Sequence, residues 1–157
     1  RVWADFGSGG GAFTFALAEL LGPGAEIYSV DQDSGALRRQ KRTMEQNYPG
    51  VTVHYLTADF TQPLPLPPLD GILMANSLHF VRQKESLLQQ IKRYIKEDGR
   101  LLLVEYNTDR GNRWVPHPVS FESWRQLAHE AGFKRTELLA ARPSSFLGSF
   151  FSAVSWK

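Results

Sequence analysis

The chain has 157 residues, 42% of them hydrophobic and 22% charged. These are the proportions of one soluble globular domain, large enough to bury about 70% of its unfolded surface. With 18 basic residues against 16 acidic ones, the net charge of +2 gives no ground for a nucleic-acid partner. The absence of cysteine excludes disulfides, thiolate metal sites and a cysteine nucleophile, and no apolar run reaches the ~18 residues of a membrane helix. A soluble cytoplasmic domain is the expectation.

In chain order, residues 2–5 read as a short buried strand. Glycines at positions 7, 9, 10 and 11 separate it from a helix whose apolar positions Phe13, Ala16, Leu17, Leu20 and Leu21 recur at helical spacing. Gly22-Pro23-Gly24 stops that helix. Residues 25–30 read as a second strand ending at Asp31, and Ser34 is predicted to cap a polar helix that runs to about Asn47. A third strand, residues 51–58, ends at Asp59. Prolines 63, 65, 67 and 68 then make a stiff extended connection to a fourth strand over residues 71–75. Leu87, Leu88, Ile91, Tyr94 and Ile95 form one face of a helix predicted to stop at Gly99, and residues 101–105 follow as a fifth strand. A polar loop through Trp114 and His117 leads to a helix carrying Phe121, Trp124, Leu127, Ala128 and Ala131, closed by Gly132. Residues 136–141 and 150–156 have no helix between them and read as an antiparallel hairpin.

Strands and helices alternating in this way, with a hairpin at the end, describe an open, doubly wound α/β sheet with an antiparallel edge. Right-handed crossovers bring the carboxyl ends of the parallel strands to one edge of the sheet, where ligands of such folds bind. The four glycines open onto that edge.

The stretch "DFGSGGG" sets Asp5, Gly7, Gly9 and Gly11 in the pattern D-x-G-x-G-x-G between a strand and a helix. Together with the acids that close strands two and three, this resembles the class I S-adenosylmethionine-dependent methyltransferases that act on small molecules. The resemblance covers the whole chain. It implies a single Rossmann-like domain over residues 1–157, with a mostly parallel seven-stranded sheet in the order 3-2-1-4-5-7-6 and helices on both faces. It also implies S-adenosyl-L-methionine as cofactor, S-adenosyl-L-homocysteine as product, and no metal. By the same resemblance the turn formed by Gly7, Ser8, Gly9 and Gly11 lies against the methionine and ribose parts of the cofactor, where a Cβ would collide. Asp5 helps to hold the cofactor's amino group, Asp31 with its neighbour Gln32 meets the ribose, Asp59 reads the adenine amino group, Phe60 packs beside the purine, and Asn76 lies near the methionine portion.

"GSGGGA" also satisfies G-x-G-x-x-A, with Asp31 at the distance of a dinucleotide's ribose acid, so an NAD(P)-binding oxidoreductase is the competing reading. That reading gives Asp5 and Asp59 no role, and the chain contains no Tyr-x-x-x-Lys pair. A third reading is a methyltransferase-like binding subunit without turnover. For the acceptor, "ANSLHFV" after strand four lacks an Asn-Pro-Pro-Tyr segment, and without cysteine the covalent route to carbon 5 of pyrimidines is closed. His79 is the one candidate base with a positional argument, because an unperturbed imidazole titrates near neutrality. Its alternative role is a loop hydrogen bond or a cap. His54 and His129 read as structural or solvated. Tyr106, Arg110, Arg113 and Trp114, in the stretch that ends strand five and opens the loop beyond it, are candidate substrate contacts. "LRRQKR" reads as the solvated face of a helix, so nucleic acid is not indicated. Because relatives usually carry N-terminal helices, the chain is expected to be either a minimal form or one lacking preceding sequence. A homo-oligomer or a partner chain would then cover the N-terminal side.

Overall fold

The computed structural model describes residues 1–157. Its strands are β1 (Val2–Phe6), β2 (Glu26–Asp31), β3 (Thr52–Thr57), β4 (Leu69–Ala75), β5 (Ile95–Tyr106), β6 (Arg135–Pro143) and β7 (Ser149–Trp156). They form one sheet in the order β3-β2-β1-β4-β5-β7-β6. β1 to β5 run parallel, and β7 pairs antiparallel with both β5 and β6. This is the expected order, with the expected hairpin at the edge.

Side chains of β1 alternate across the sheet, as the pleat requires. Trp3 packs into a cluster with Leu17 and Ala18 of helix α1 (Ala12–Leu21) and Met44 of helix α2 (Ser34–Asn47). Ala4 and Phe6 point the other way, into the larger cluster with Leu88 and Ile91 of helix α3 (Lys84–Tyr94) and Trp124 and Ala128 of helix α4 (Phe121–Glu130). Helices therefore cover both faces. Trp3 also sets a local constraint: its ring fills the space beside Gly71, where an added Cβ would lie 2.4 Å from it. No helix is long and apolar enough to cross a membrane.

Most element bounds shift by a residue or two from the sequence reading, and three differences have a local physical cause. The cap of α2 is Asp33, whose extended backbone (φ −90°, ψ 98°) lets its carboxylate accept the Ala36 N–H at 3.0 Å; Ser34 is the first helical residue. The helix expected to continue to Gly99 ends at Tyr94. Ile95 is already extended (φ −84°, ψ 136°), buried and paired with Leu69, so the cross-strand partner outweighs the helical spacing. β4 starts at Leu69, two residues earlier than predicted, through the same pairing.

Candidate functional site

The carboxyl ends of β1, β2, β3 and β4 meet around the glycine turn. Gly7 and Ser8 donate backbone N–H bonds to the carbonyl of Val30 at 2.8 and 3.0 Å, which folds the turn back over the end of β2. Two glycines are dictated by the protein itself. Gly7 has φ +80° and an added Cβ would stand 2.5 Å from Ser77 Cβ, while Gly11 has φ +94° and would place one 2.4 Å from Gln40 Cγ. The sequence reading attributed these positions to close approach by a ligand; here Ser77 and Gln40 already forbid a side chain. Ser77 Oγ donates to the Phe6 carbonyl at 2.7 Å and so pins the end of β4 to the end of β1.

Gln40 is fully buried beneath the turn. Its Nε2 donates to the Gly9 carbonyl at 3.2 Å and to Ser8 Oγ at 3.3 Å, and its Oε1 accepts from Ser29 Oγ at 2.6 Å. Sequence reasoning missed it inside the basic run. The signal was the spacing Ala36, Leu37, Gln40, Met44, which puts Gln40 on the buried stripe of α2.

Asp5, on the α1 face of β1, is 1% exposed and accepts the Thr14 hydroxyl at 2.7 Å. Burial above all, helped by the nearby Asp31 charge and opposed in part by the Thr14 bond, pushes its carboxyl up to about 7. Asp31 ends β2 with both oxygens engaged by backbone, Oδ2 accepting from Gly9 N–H at 2.8 Å and Oδ1 from Asp33 N–H at 2.9 Å. Asp59, beyond the end of β3, makes a tight turn in which Oδ1 accepts both the Thr61 N–H and hydroxyl, at 2.9 and 2.7 Å. Phe60 stacks on Phe6 with ring centroids 5.7 Å apart.

Asn76 is the only non-glycine residue with positive φ, at 55°. A non-glycine residue held there costs of order 1–3 kcal/mol. Its N–H donates to Val104 O, yet its side-chain Oδ1 is buried with no donor. Two clefts flank the turn and share Gly7. One, about 340 Å³, is lined by Asp5, Ser8, Gly10, Gly11, Phe13 and Ala75; the other, about 410 Å³, by Asp31, Gln32, Asp59, Phe60, Asn76 and Phe80. Gly9 lines neither, although its N–H sets Asp31. The structure thus gathers nine of the ten predicted cofactor residues on the two clefts.

His79 sits on the 3-10 turn Leu78–Phe80, immediately after the Asn76–Ser77 step. It is 4% exposed and Glu105, near the end of β5, is fully buried. The Glu105 carboxylate accepts the backbone N–H of His79 on Oε2 at 3.2 Å and that of Tyr106 on Oε1 at 3.0 Å; His79 Nδ1 stands 2.6 Å from the same Oε1. A carboxylate that already gathers two N–H groups acts as acceptor, which assigns the imidazole hydrogen to Nδ1 and leaves Nε2 as the basic nitrogen. Glu105 was not foreseen, though Leu101, Leu103 and Glu105 share the inward-facing period of two.

The other histidines lie elsewhere: His54 pairs with Glu26 at 2.7 Å on β3, and His129 is exposed on α4. Of the loop candidates, Tyr106 lies 6.0 Å from the His79 ring and Trp114 packs edge-on to Phe146, whereas Arg110 and Arg113 are exposed. His117 approaches through its backbone, donating its N–H to the His79 carbonyl at 2.9 Å.

A glycine turn between β1 and α1 on a sheet of this order, with acids at three strand ends, defines a nucleoside-cofactor fold of the methyltransferase kind. The methyltransferase-domain family matches residues 4–101, and the chain belongs to that family, the class I S-adenosylmethionine-dependent methyltransferases. It is 29% identical over 105 residues to the ubiquinone/menaquinone biosynthesis C-methyltransferase UbiE of Pasteurella multocida, covering 66% of this chain and 39% of that protein. With the enzyme of the same name from Azotobacter vinelandii it shares 30% identity over 106 residues, covering 66% and 41%. The chain thus spans about two fifths of the length of the curated relatives it matches. Among solved structures, the arsenic(III) S-adenosylmethionine methyltransferase of Chlamydomonas reinhardtii superposes with a TM-score of 0.80 at 15% identity, over 99% of this chain and 63% of that one. The DszA carbon methyltransferase does so with 0.78 at 24% identity, over 98% and 46%. These two likenesses bear on the fold.

Proposed function

We propose that this chain binds S-adenosylmethionine across the two clefts and transfers its methyl group to a carbon nucleophile of a small molecule, with His79 as general base. The cofactor supplies an electrophilic sulfonium methyl, so the protein's task is to position the acceptor and to take its proton. The observation that carries the reading is the buried His79–Glu105 pair, on the turn whose flanking residues Ser77 and Phe80 line the larger cleft. Glu105 fixes the imidazole through Nδ1, and Nε2 takes a proton from a carbon or hydroxyl of the acceptor. A carbon acceptor is favoured because the curated relatives are named C-methyltransferases, and a weakly acidic C–H needs a base.

The cleft residues suit the cofactor. Asn76 Oδ1, buried without a donor, is a ready acceptor for the cofactor's ammonium or hydroxyl groups. In this reading Asp5 faces the ammonium, Asp31 and Gln32 the ribose, and Asp59 and Phe60 the adenine. Gly7, Ser8, Gly9 and Gly11 shape the wall between. Gly10 also lines the smaller cleft, and a Cβ added there would meet no atom within 4 Å, so its backbone lies open to the ligand. The same reading places the protein in the cytoplasm.

The test has two stages. In a thermal-shift panel, S-adenosylmethionine and S-adenosylhomocysteine raise the melting temperature and NADH and NADPH do not; a ligand at 100 times its Kd stabilises the fold by about 2.7 kcal/mol. A shift with NADPH alone returns the chain to the oxidoreductase reading. Methyl-labelled cofactor and a panel of small carbon acids and phenols then report transfer, and His79→Ala lowers turnover by ~10²–10⁴-fold with cofactor affinity unchanged. Equal turnover in the variant removes His79 from the mechanism.

A further inference from the structure

Lys84 is the first residue of α3 and is 7% exposed. Both facts oppose a lysine. The N-terminal turn of a helix carries partial positive charge, and burial strips an ammonium of its water. Burial accordingly pushes the Lys84 ammonium down, while the charges of Glu105 and Glu85 act in the opposite direction. Glu85 is exposed and screened by solvent, so Glu105 is the buried countercharge.

The ammonium has well-defined partners. Nζ donates to the carbonyl of Val81 at 2.6 Å and to the carbonyl of His117 at 2.6 Å. His117 in turn gives its N–H to the His79 carbonyl. Lys84 thus ties the loop that follows β5 to the segment carrying His79. A neutral donor such as glutamine could reach one carbonyl; only a cation makes both bonds charge-assisted.

We infer that Lys84 is a positioning residue of the His79–Glu105 pair: its two charge-assisted hydrogen bonds hold the His79 turn against the loop that follows β5, so that the imidazole stays seated on Glu105 through Nδ1 and Nε2 stays free. The inference rests on reading His79 as the base only for its catalytic meaning. The geometry of the pair can be tested without substrate.

The experiment is imidazole 15N NMR on the full chain labelled at histidine, at neutral pH. In the parent, His79 shows a protonated Nδ1, a bare Nε2 and a downfield, exchange-protected Nδ1–H, as the short bond to Glu105 requires. In Lys84→Gln, which keeps a donor and loses the charge, the protected Nδ1–H signal is lost. In Lys84→Arg, which keeps the charge, it returns. A Lys84→Gln protein that folds and retains the parent His79 tautomer and protected signal overturns the inference, whatever its melting temperature. Lys84→Met provides the second uncharged variant, with the same two outcomes, should Lys84→Gln be poorly folded. If His79→Ala keeps full methyl transfer while Lys84→Gln loses the His79 signal, the base reading fails and the positioning role of Lys84 stands.

Discussion

The titration of Asp5 links the fold to its ligand and can be measured in the absence of substrate. The carboxyl is buried behind the glycine turn with a single side-chain donor, Thr14, and holds its proton until about pH 7, against an ordinary 3.8. Because the folded state keeps a proton that the unfolded chain releases, stability present at low pH is lost as pH rises through this window, and the loss levels off above about 7. From 3.8 to about 7, at ~1.4 kcal/mol per pH unit, the loss comes to about 4 kcal/mol. For a chain of this size that is on the order of 10 °C in melting temperature. Asp5→Asn keeps an acceptor for Thr14 and cannot ionise. Urea unfolding of parent and variant at each pH from 4 to 8 cancels every other titrating group in the difference, which should move by about 4 kcal/mol in favour of the variant. Parallel curves, with a difference that changes by less than about 1 kcal/mol, refute the argument and mean that Asp5 is ionised in the fold. If the cofactor's ammonium lies beside Asp5, it draws the ionised form, so S-adenosylhomocysteine binding releases protons below pH 7, visible in calorimetry with buffers of different ionisation enthalpy.

Asp31→Ala weakens S-adenosylhomocysteine binding by roughly 10- to 150-fold per lost charge-assisted bond, measured by calorimetry. Asp33→Ala serves as control: it removes the cap of α2, costs about 0.5–2 kcal/mol in urea unfolding and leaves the affinity unchanged. Gln40→Leu strands the Gly9 carbonyl, while the Ser29 hydroxyl keeps Ser8 Oγ at 2.7 Å, so stability falls by ~1–3 kcal/mol for the one group left unpaired, and the same ligand binds more weakly. Gly9→Val abolishes binding while circular dichroism stays native: a Cβ there meets no protein atom, so the fold persists, but the φ of +54° resists a branched residue and the turn is displaced.

The strands, the parallel crossovers and the strand-end acids were legible because they follow from period, from glycine and proline punctuation and from the handedness of crossovers, whereas the sheet order came through the family resemblance that the glycine motif and those acids carry. What escaped the sequence was long-range. Glu105 lies 26 residues beyond His79, and only the register of β5 beside β4 brings its carboxylate to that ring. Gln40 looks like one polar residue among the arginines of its helix until α2 is laid on the sheet. The early end of α3 depends on a pairing that local spacing does not encode, that of Ile95 with Leu69. Asp33 outcompetes Ser34 as cap because the chain is still extended at position 33, a matter of one residue in the exit from β2.

The Trp3–Gly71 contact has a consequence for how the chain is made. β1 leaves the ribosome before the other six strands of this sheet, yet it belongs in the middle of the sheet, and its partner on one side is 68 residues further on. Until β4 arrives, β3, β2 and β1 form a three-stranded parallel ribbon whose inner edge, β1, is bare. Parallel pairings between distant segments close slowly, since the loop entropy is lost before the contact is gained. The indole seated on a glycine then acts as a latch that engages late. A nascent chain stalled before residue 71 exposes a sticky central strand at the very stretch that carries the glycine turn, and is the state in which this protein is most open to aggregation and to chaperones.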